Sequence, residues 1–427
     1  MRIRSITIIF VAIIIISCKT TDSSDEIDPK ILQDNKYLLS LLESWYLWNN
    51  EIDSDQNAAN FESPQDLLDQ VKYSQLDRWS SISDAAQFTT YYDEGTYLGY
   101  GFFYNWDDDN NVRFGYTYNN SPFGKAGIKR GYKLLKIDGV DVQTISDWSN
   151  IFGVNEIGFT QSFLIEDLDG NQAEYQISKD IVTINTVLHA DTLSVGNETV
   201  GYLVFETFIN PAREELDEAF GLFQSAEIDR LILDMRYNGG GQVSVATYLA
   251  NYIIGQENNG QLLFKYQHNE GRTANNQVYA LEKFGVLEID ELIILTTERT
   301  ASASELILNG LKPLMTVTHI GVGNTYGKPV GSYGWYSLDE SEVYSIISFS
   351  LVNSNDIGDY FDGIEPDFTA CDDLKSPFGD TNESLFGAAI EYVATGQTGG
   401  CDLVSKLWEN RLELPQEQPN PILILNQ

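Results

Sequence analysis

The feature that most limits the fold is a pair of short apolar runs, each ending at a loop and a helix. DRLILDMR, residues 229–236, leads into the glycines of NGGG and then into QVSVATYLANYII, which is patterned as a helix. ELIILTT, residues 291–297, leads into ERTASASELILNGL, where Leu306, Ile307, Leu308 and Leu311 mark a second helix. Apolar runs without alternation suit strands covered on both faces. GYLVFETF (201–208) and VTHIGVG (317–323) have the same character, and Pro211 to Ser225 has a helical pattern. Repetition of strand, loop and helix implies an α/β domain with a largely buried sheet over residues 183–400.

The preceding segments differ. Residues 36–87 are patterned as helices, with Leu38, Leu41, Leu42, Trp45 and Trp48 on one stripe. Ser63 reads as an N-cap, with Pro64 at the first helical position and Asp66 three residues after the cap. Residues 88–182 carry dense turn signals at Asp93-Glu94-Gly95, Asp107 to Asn111, Asp138-Gly139 and Asp169-Gly170, which suggest a small β-rich domain. A length of 427 residues suits about three domains. The expected chain is multidomain α/β (α+β).

The first residues look like a processing signal. Two arginines precede SITIIFVAIIIIS, an apolar run too short for a ~30 Å hydrocarbon layer. Ile15-Ile16-Ser17-Cys18 resembles a bacterial lipobox, whose cysteine is acylated. Residues 1–17 are therefore expected to be a lipoprotein signal peptide, Cys18 a lipidation site and 18–35 a flexible tether. The chain would be exported and anchored by lipid in the bacterial cell envelope, facing the periplasm or the cell surface. The formal net charge of −37 argues against nucleic acid or an anionic membrane surface as a partner through charge. Cys371 and Cys401 remain, the latter opening a C-terminal extension at 401–427. A disulfide between them would close a loop worth roughly 3–4 kcal/mol, and the sequence leaves it open.

Small hydroxyl residues crowd the turn TTERTASASE. Ser302 stands where a strand gives way to a helix, with free amides and the positive helix end at the same point. It reads either as an N-cap or as a nucleophile whose oxyanion the next amide would stabilise. A nucleophile needs a base. The three histidines, His189, His268 and His319, lie outside glycine-rich or turn settings, and His319 sits inside a strand. Lys328, in the glycine-flanked loop NTYGKPVGSYG, is the other candidate. It must be neutral near working pH, which requires the site to disfavour the ammonium by roughly 4 kcal/mol. Desolvation can do that, provided no carboxylate lies beside the lysine. The glycines of DMRYNGGG let the backbone approach a ligand closely, and no Lys-Ser/Thr follows them as in a phosphate loop. They read as oxyanion donors or as a tight turn.

DMRYNGGG, TASASE and TYGKPVG, in this order, together resemble the carboxy-terminal processing (tail-specific) serine peptidases, which use a Ser/Lys dyad. SPFGKAGIKRGYKLLKIDGVDV, residues 121–142, is similar to part of that family's PDZ domain, and DGIEPD, residues 362–367, also looks familial. The resemblance implies Ser302 as nucleophile and Lys328 as general base. Ala303 and the glycine loop, chiefly Gly240 with Gly241, would supply the oxyanion hole, with Ser304 and Glu305 structural. It implies that Leu98, Gly99, Tyr100, Gly101 and Phe102 hold a peptide's terminal carboxylate. Substrates would be proteins or peptides with free, unstructured C-termini, with no cofactor and no metal. Many relatives carry Gln four residues after the lysine. Here that position is Ser332, the candidate orienting residue. The same fold also serves non-catalytic peptide- or hydrophobic-ligand-binding relatives, and tricorn-like relatives use a histidine base.

Overall fold

The computed structural model describes residues 27–400 and the backbone of a two-residue strand, Ile424–Leu425. Residues 1–17, expected to be a signal peptide, lie outside the described residues, as do Cys18 and Cys401. Cys371 is disulfide-bonded.

Helix Pro29–Trp45 begins earlier than expected and takes over part of the segment read as a tether. The cause is local. The Asp28 carboxylate accepts from the Lys30 amide at 2.7 Å, and Pro29 fits the first turn, where no N–H is required. The helix ends at Trp45, so Trp48 leaves the helical stripe yet still packs on the same cluster. Helix Pro64–Val71 starts as expected, with Ser63 Oγ accepting from the Asp66 amide at 3.1 Å. Residues 81–84, expected to belong to a helical region, form a strand paired antiparallel with residues 342–345.

Three larger sheets follow. The β-rich unit holds strands Phe102–Trp106, Val112–Thr117, Lys133–Ile137, Thr160–Glu166 and Gln172–Ser178 in that order, around an aromatic core. A separate pair, Thr96–Gly99 with Asp180–Thr183, closes its base.

The central sheet runs Val187–Val195, Glu198–Phe205, Arg230–Asp234, Glu291–Thr296, Val317–Gly321 and Phe368–Thr369. The first pairing is antiparallel and the rest are parallel. Leu231, Leu233, Leu292 and Ile294 face helices Ala212–Ser225, Val243–Ile253 and Ala303–Leu311. Ile232, Ile293 and Leu295 face helix Ser384–Thr395 on the other side. Alternate residues of each run are thus buried in different cores, which explains why the sequence shows no polar face.

A second sheet, orthodox in its antiparallel pairing over most of its width, runs Val278–Ala280, Leu262–His268, Glu342–Asn353, Val330–Tyr336 and Ile424–Leu425. The N-terminal helices pack on it through Leu38, Leu42, Tyr46 and Leu67 against Val330, Tyr344, Ile346 and Ile347.

A buried ion cluster ties these parts together. Arg236 pairs with Asp234 at 2.6 Å, Glu383 at 2.7 Å and Asp372 at 3.1 Å, while Arg130 of the β-rich unit pairs with Asp372 at 2.9 Å. Arg130 also donates to Tyr237 Oη at 2.8 Å and to the Ser376 carbonyl at 2.8 Å. Burial raises the Asp372 carboxyl, but Arg130 and Arg236 pull it down to about 2. Removing one partner leaves uncompensated buried charge. Arg236→Ala should therefore lose about 3–5 kcal/mol of stability, read as a lower urea midpoint. An unchanged midpoint would contradict this account of the cluster.

Candidate active site

The turn before helix Ala303–Leu311 and the first turn of that helix carry four buried hydroxyl residues, and three of them are occupied. Thr297 Oγ1 donates to the Arg236 carbonyl, Thr300 Oγ1 to Met235 O at 2.8 Å and Ser304 Oγ to Asn238 O at 3.0 Å. The Ala301 amide adds a bond to Asn238 O at 3.1 Å. These contacts clamp the turn onto the segment Met235 to Asn238. Ser302 Oγ, by contrast, is buried and has no hydrogen-bond partner. Its backbone stands at φ 64°, ψ −112°, a region L-residues seldom occupy, at a cost on the order of 1–3 kcal/mol. Strained strand-to-helix turns of this type hold a serine away from its own helix.

Glu305 connects this turn with the lysine loop. One carboxylate oxygen accepts from the Ser302 amide at 2.7 Å and from the Lys328 amide at 2.8 Å. The two nitrogens are therefore at most 5.5 Å apart. The other oxygen accepts from Gly327 N at 2.7 Å and Thr325 Oγ1 at 2.5 Å. Burial raises the Glu305 carboxyl, and these four bonds oppose that shift.

Lys328 is buried, with Nζ 6.0 Å from the centre of the Trp79 ring. Desolvation pushes its ammonium down to about 7, against upward pulls from Asp77 and Glu305. The condition that no carboxylate lie near Lys328 is thus not met, and burial outweighs both carboxylates. Asp77 and Trp79 come from the N-terminal region and were not among the candidates. Asp77 is itself fixed, accepting from Tyr46 Oη at 2.7 Å and from the Trp79 and Ser80 amides at 3.0 and 2.9 Å. The dense polar cluster LDRWSS was the available signal, and nothing in it named the lysine.

Gly240 sits against the serine. A Cβ there would come within 2.7 Å of Ser302 Cβ and 3.0 Å of the Ala303 amide nitrogen. With φ at +104° the position favours glycine for both reasons. The expectation that Gly240 offers an open amide needs correction, because that N–H donates to Asn238 Oδ1 at 2.8 Å. The Asn238 side chain completes the turn locally. Ala303, the first residue of its helix, keeps an amide that helix geometry leaves without an intrahelical acceptor. Gly241, at φ +134°, is held by a bridge to Phe208.

Ser332 is buried on strand Val330–Tyr336, paired with Ile347. None of the histidines bonds Ser302. His319 is held by Thr296 at 2.6 Å and driven by burial down to about 4, and His268 bonds Tyr333 at 2.8 Å. His189 Nε2 is buried without a hydrogen bond, beneath Gly379. Leu98 and Gly99 pair with Ile181 and Asp180, Tyr100 is packed in the aromatic core, and Gly101 presses on Ser121. Phe102 begins the terminal strand of its sheet. A cavity of about 430 Å³ opens nearby between Pro122, Lys125, Ile157, Ile177 and Lys179, and none of residues 98–102 lines it. Among the described residues no group of His, Cys, Asp or Glu is arranged to hold a metal ion, and no helix is long and apolar enough to cross a membrane.

Two sequence profiles match the chain: the peptidase S41 N-terminal domain over residues 33–81 and peptidase family S41 over residues 199–370. A carboxyl-terminal-processing protease of Synechocystis sp. is 26% identical over 211 residues, covering 49% of this chain and 47% of that protein. The chloroplastic carboxyl-terminal-processing peptidase 1 of Arabidopsis thaliana is 26% identical over 260 residues, covering 58% and 51%. The chain spans about half the length of the curated relatives it matches. A solved structure of an S41-protease candidate from Bacteroides fragilis NCTC 9343 shares the fold, with TM-score 0.71 and 23% identity over 84% of this chain and 97% of that one.

The Lys328 ammonium is open to direct measurement. A 15N NMR titration of Nζ, assigned with Lys328→Arg, should show a midpoint at about 7. Asp77→Asn removes a charge that favours the ammonium, so the midpoint should fall. A midpoint in the ordinary lysine range would contradict the burial account.

Proposed function

The chain belongs to peptidase family S41, and we propose that it is a serine endopeptidase working through a Ser302/Lys328 dyad. The observation that carries this reading is a buried amine, held near neutrality by desolvation, whose backbone shares one carboxylate oxygen with an unpartnered, strained serine. An amine of that pKa has both the neutral form and the basicity that a general base needs at pH 7–8.

In the proposed cycle Lys328 Nζ takes the proton from Ser302 Oγ as the oxygen attacks the scissile carbonyl. The Ala303 amide faces the developing oxyanion. Gly241 is the better glycine donor, and Gly240 could join only if Asn238 released its amide. The Lys328 ammonium then passes its proton to the leaving amine, which departs as the acyl-enzyme forms. Water, deprotonated by the same amine, releases the acyl group and restores the serine.

The finer reading concerns what is cut and where. The β-rich unit acts as a PDZ domain that takes a free, unstructured C-terminal tail near Leu98 to Phe102, adding it as a strand to a sheet edge. Export and acylation at Cys18 would set the enzyme on the bacterial envelope. Labelling with radioactive palmitate, lost in Cys18→Ala, tests the anchor.

Ser302→Ala and Lys328→Ala should each lower cleavage of an unfolded protein with an apolar tail by at least about a thousandfold, with thermal midpoints retained. Phosphonylation of Ser302 Oγ by a serine-directed fluorophosphonate, with loss of fluoride, separates this reading from a non-catalytic binding protein. Full turnover in either variant would end the proposal. Because the base must be neutral, kcat/KM should rise as pH climbs through about 7. In Asp77→Asn that rise should move to lower pH, and a profile flat across this range would point to a different base.

A further inference from the structure

Arg299 belongs to the serine turn, three residues before Ser302. Its amide donates to Thr297 Oγ1 at 3.1 Å, so its backbone is held by the same clamp as the rest of the turn. Its side chain reaches across to the β-rich unit. The guanidinium carbon stands 5.2 Å from the centre of the Phe103 ring, in strand Phe102–Trp106. Phe103 in turn lies 4.4 Å from the ring of Tyr237, just before the glycines. The guanidinium therefore stands where three parts meet: the serine turn, the segment leading to the glycine loop, and the strand that continues from residues 98–102.

No acid of the chain meets it there. Arg113, Arg130, Arg230 and Arg236 each pair with a carboxylate. Among the described residues none pairs with Arg299, although the chain holds 63 acidic residues. Its Nε is buried and donates to nothing, while the residue as a whole is half-buried. A guanidinium donor without water or a partner is unfavourable. Nε and the neighbouring Nη form one side of the fork that receives a carboxylate through two parallel bonds. The seat on Phe103 offers only a cation–π contact. Turning the fork off that ring exchanges this contact for two charge-assisted bonds, provided a ligand brings the carboxylate.

The lysine loop has a similar neighbour. Tyr326 is 39% exposed, and its amide donates to Thr300 O at 3.0 Å, which joins it to the serine turn. The Arg78 guanidinium carbon lies 5.7 Å from the Tyr326 ring centre, and its Nη2 donates to the Phe361 carbonyl at 3.3 Å. Arg78 too has no paired acid among the described residues. Each loop that carries a reactive group thus has an arginine on it or against it with no carboxylate of its own. The net charge of −37 does not cancel this local excess, because screening limits distant acids to about 8–10 Å.

We propose that Arg299 is a substrate-binding residue that takes a peptide carboxylate and so selects acidic substrates for the Ser302/Lys328 site. The proposal rests on the peptidase reading for turnover, while the carboxylate site can be tested by binding alone. The carboxylate comes from an acidic side chain within a few residues of the bond that is cut, or from the end of the tail. The chemistry at the guanidinium is the same for both.

The test uses the full chain and unstructured fluorogenic peptides with an apolar tail and a single Glu, moved through successive positions. Each has a Gln counterpart, and each is made with a free and with an amidated C-terminus. In the wild-type chain kcat/KM should favour the best-placed Glu peptide over its Gln counterpart by at least about tenfold. Anisotropy with Ser302→Ala should show the same preference in Kd. Arg299→Met should bring the two peptides within about twofold of each other, and Arg299→Glu should favour a Lys peptide instead. An arginine with a merely structural role would slow all peptides together and leave their ratio intact, and that result would overturn the proposal. Amidation distinguishes the sources. If the terminal carboxylate is the ligand, amidation costs about tenfold in the wild-type chain and little in Arg299→Met, and Glu and Gln peptides behave alike. If neither Glu-to-Gln exchange nor amidation matters in the wild-type chain, Arg299 binds no carboxylate and the proposal fails. Preference in binding without turnover in any form would uphold the carboxylate site and sink the peptidase reading. Turnover without preference would do the reverse.

Discussion

Glu305 accepts hydrogen bonds from the amides of Ser302, Gly327 and Lys328 and from the hydroxyl of Thr325. A turn and a loop more than twenty residues apart are joined at this one side chain. The geometry suits a carboxylate and little else. Its two oxygens accept all four bonds, whereas a glutamine would present an NH₂ to two of the donors. Leaving buried amides unsatisfied costs about 1–3 kcal/mol each, so the turn and the loop would separate before they tolerated the exchange. The bond to the Ser302 amide also holds that residue in its strained conformation, while the hydroxyl remains outside the network.

The lysine is governed by a balance. Moving its ammonium from an ordinary value of 10.5 to about 7 corresponds to roughly 5 kcal/mol against the charged form. Burial supplies this, with the Trp79 ring beside the amine. Asp77 and Glu305 work the other way. A lysine desolvated without nearby carboxylates would titrate lower and be a weaker base, and one with a close ion pair would stay charged. The intermediate arrangement leaves an amine that is neutral over part of the physiological range and still basic. The net charge of −37 has little part in this, since exposed charges act over about a Debye length.

The central sheet was legible because its strands are continuous apolar runs that end in distinctive loops. DRLILDMR, ELIILTT and VTHIGVG each appear as strands, and Ser302 heads a helix as its surroundings implied. The second sheet was harder to read. EVYSIISFSLVN, residues 342–353, mixes serines with apolar residues, and its serines turn out to be largely buried between packed layers. Its pairing with Ser81–Asp84 and Leu262–His268 links positions far apart in sequence, which local periodicity cannot report. The same limit hid Asp77, Trp79 and Arg130. Each acts across elements, and a short motif records residue types without recording which distant side chain they meet. Pro29 was a different case, since Asp28-Pro29 was a visible helix start inside a segment whose polarity suggested a tether.

The site is built from four stretches: 77–79, 234–241, 297–305 and 325–328. The first comes from a region that packs on the second sheet, and the others stand at the ends of central strands or the loop that follows one. Their mutual contacts are main-chain bonds and buried polar pairs, which form only once both sheets are packed. Arg236 adds a further dependence, because its carboxylate partners Asp372 and Glu383 lie beyond the lysine loop in sequence, while Arg130 approaches the same carboxylates from the β-rich unit. A partly folded chain would therefore hold neither a desolvated amine nor a strained serine. Reactive groups that exist only in the finished fold cannot act on the chain itself or on its neighbours before folding is complete. That protection follows from where the groups lie along the chain and needs no separate device.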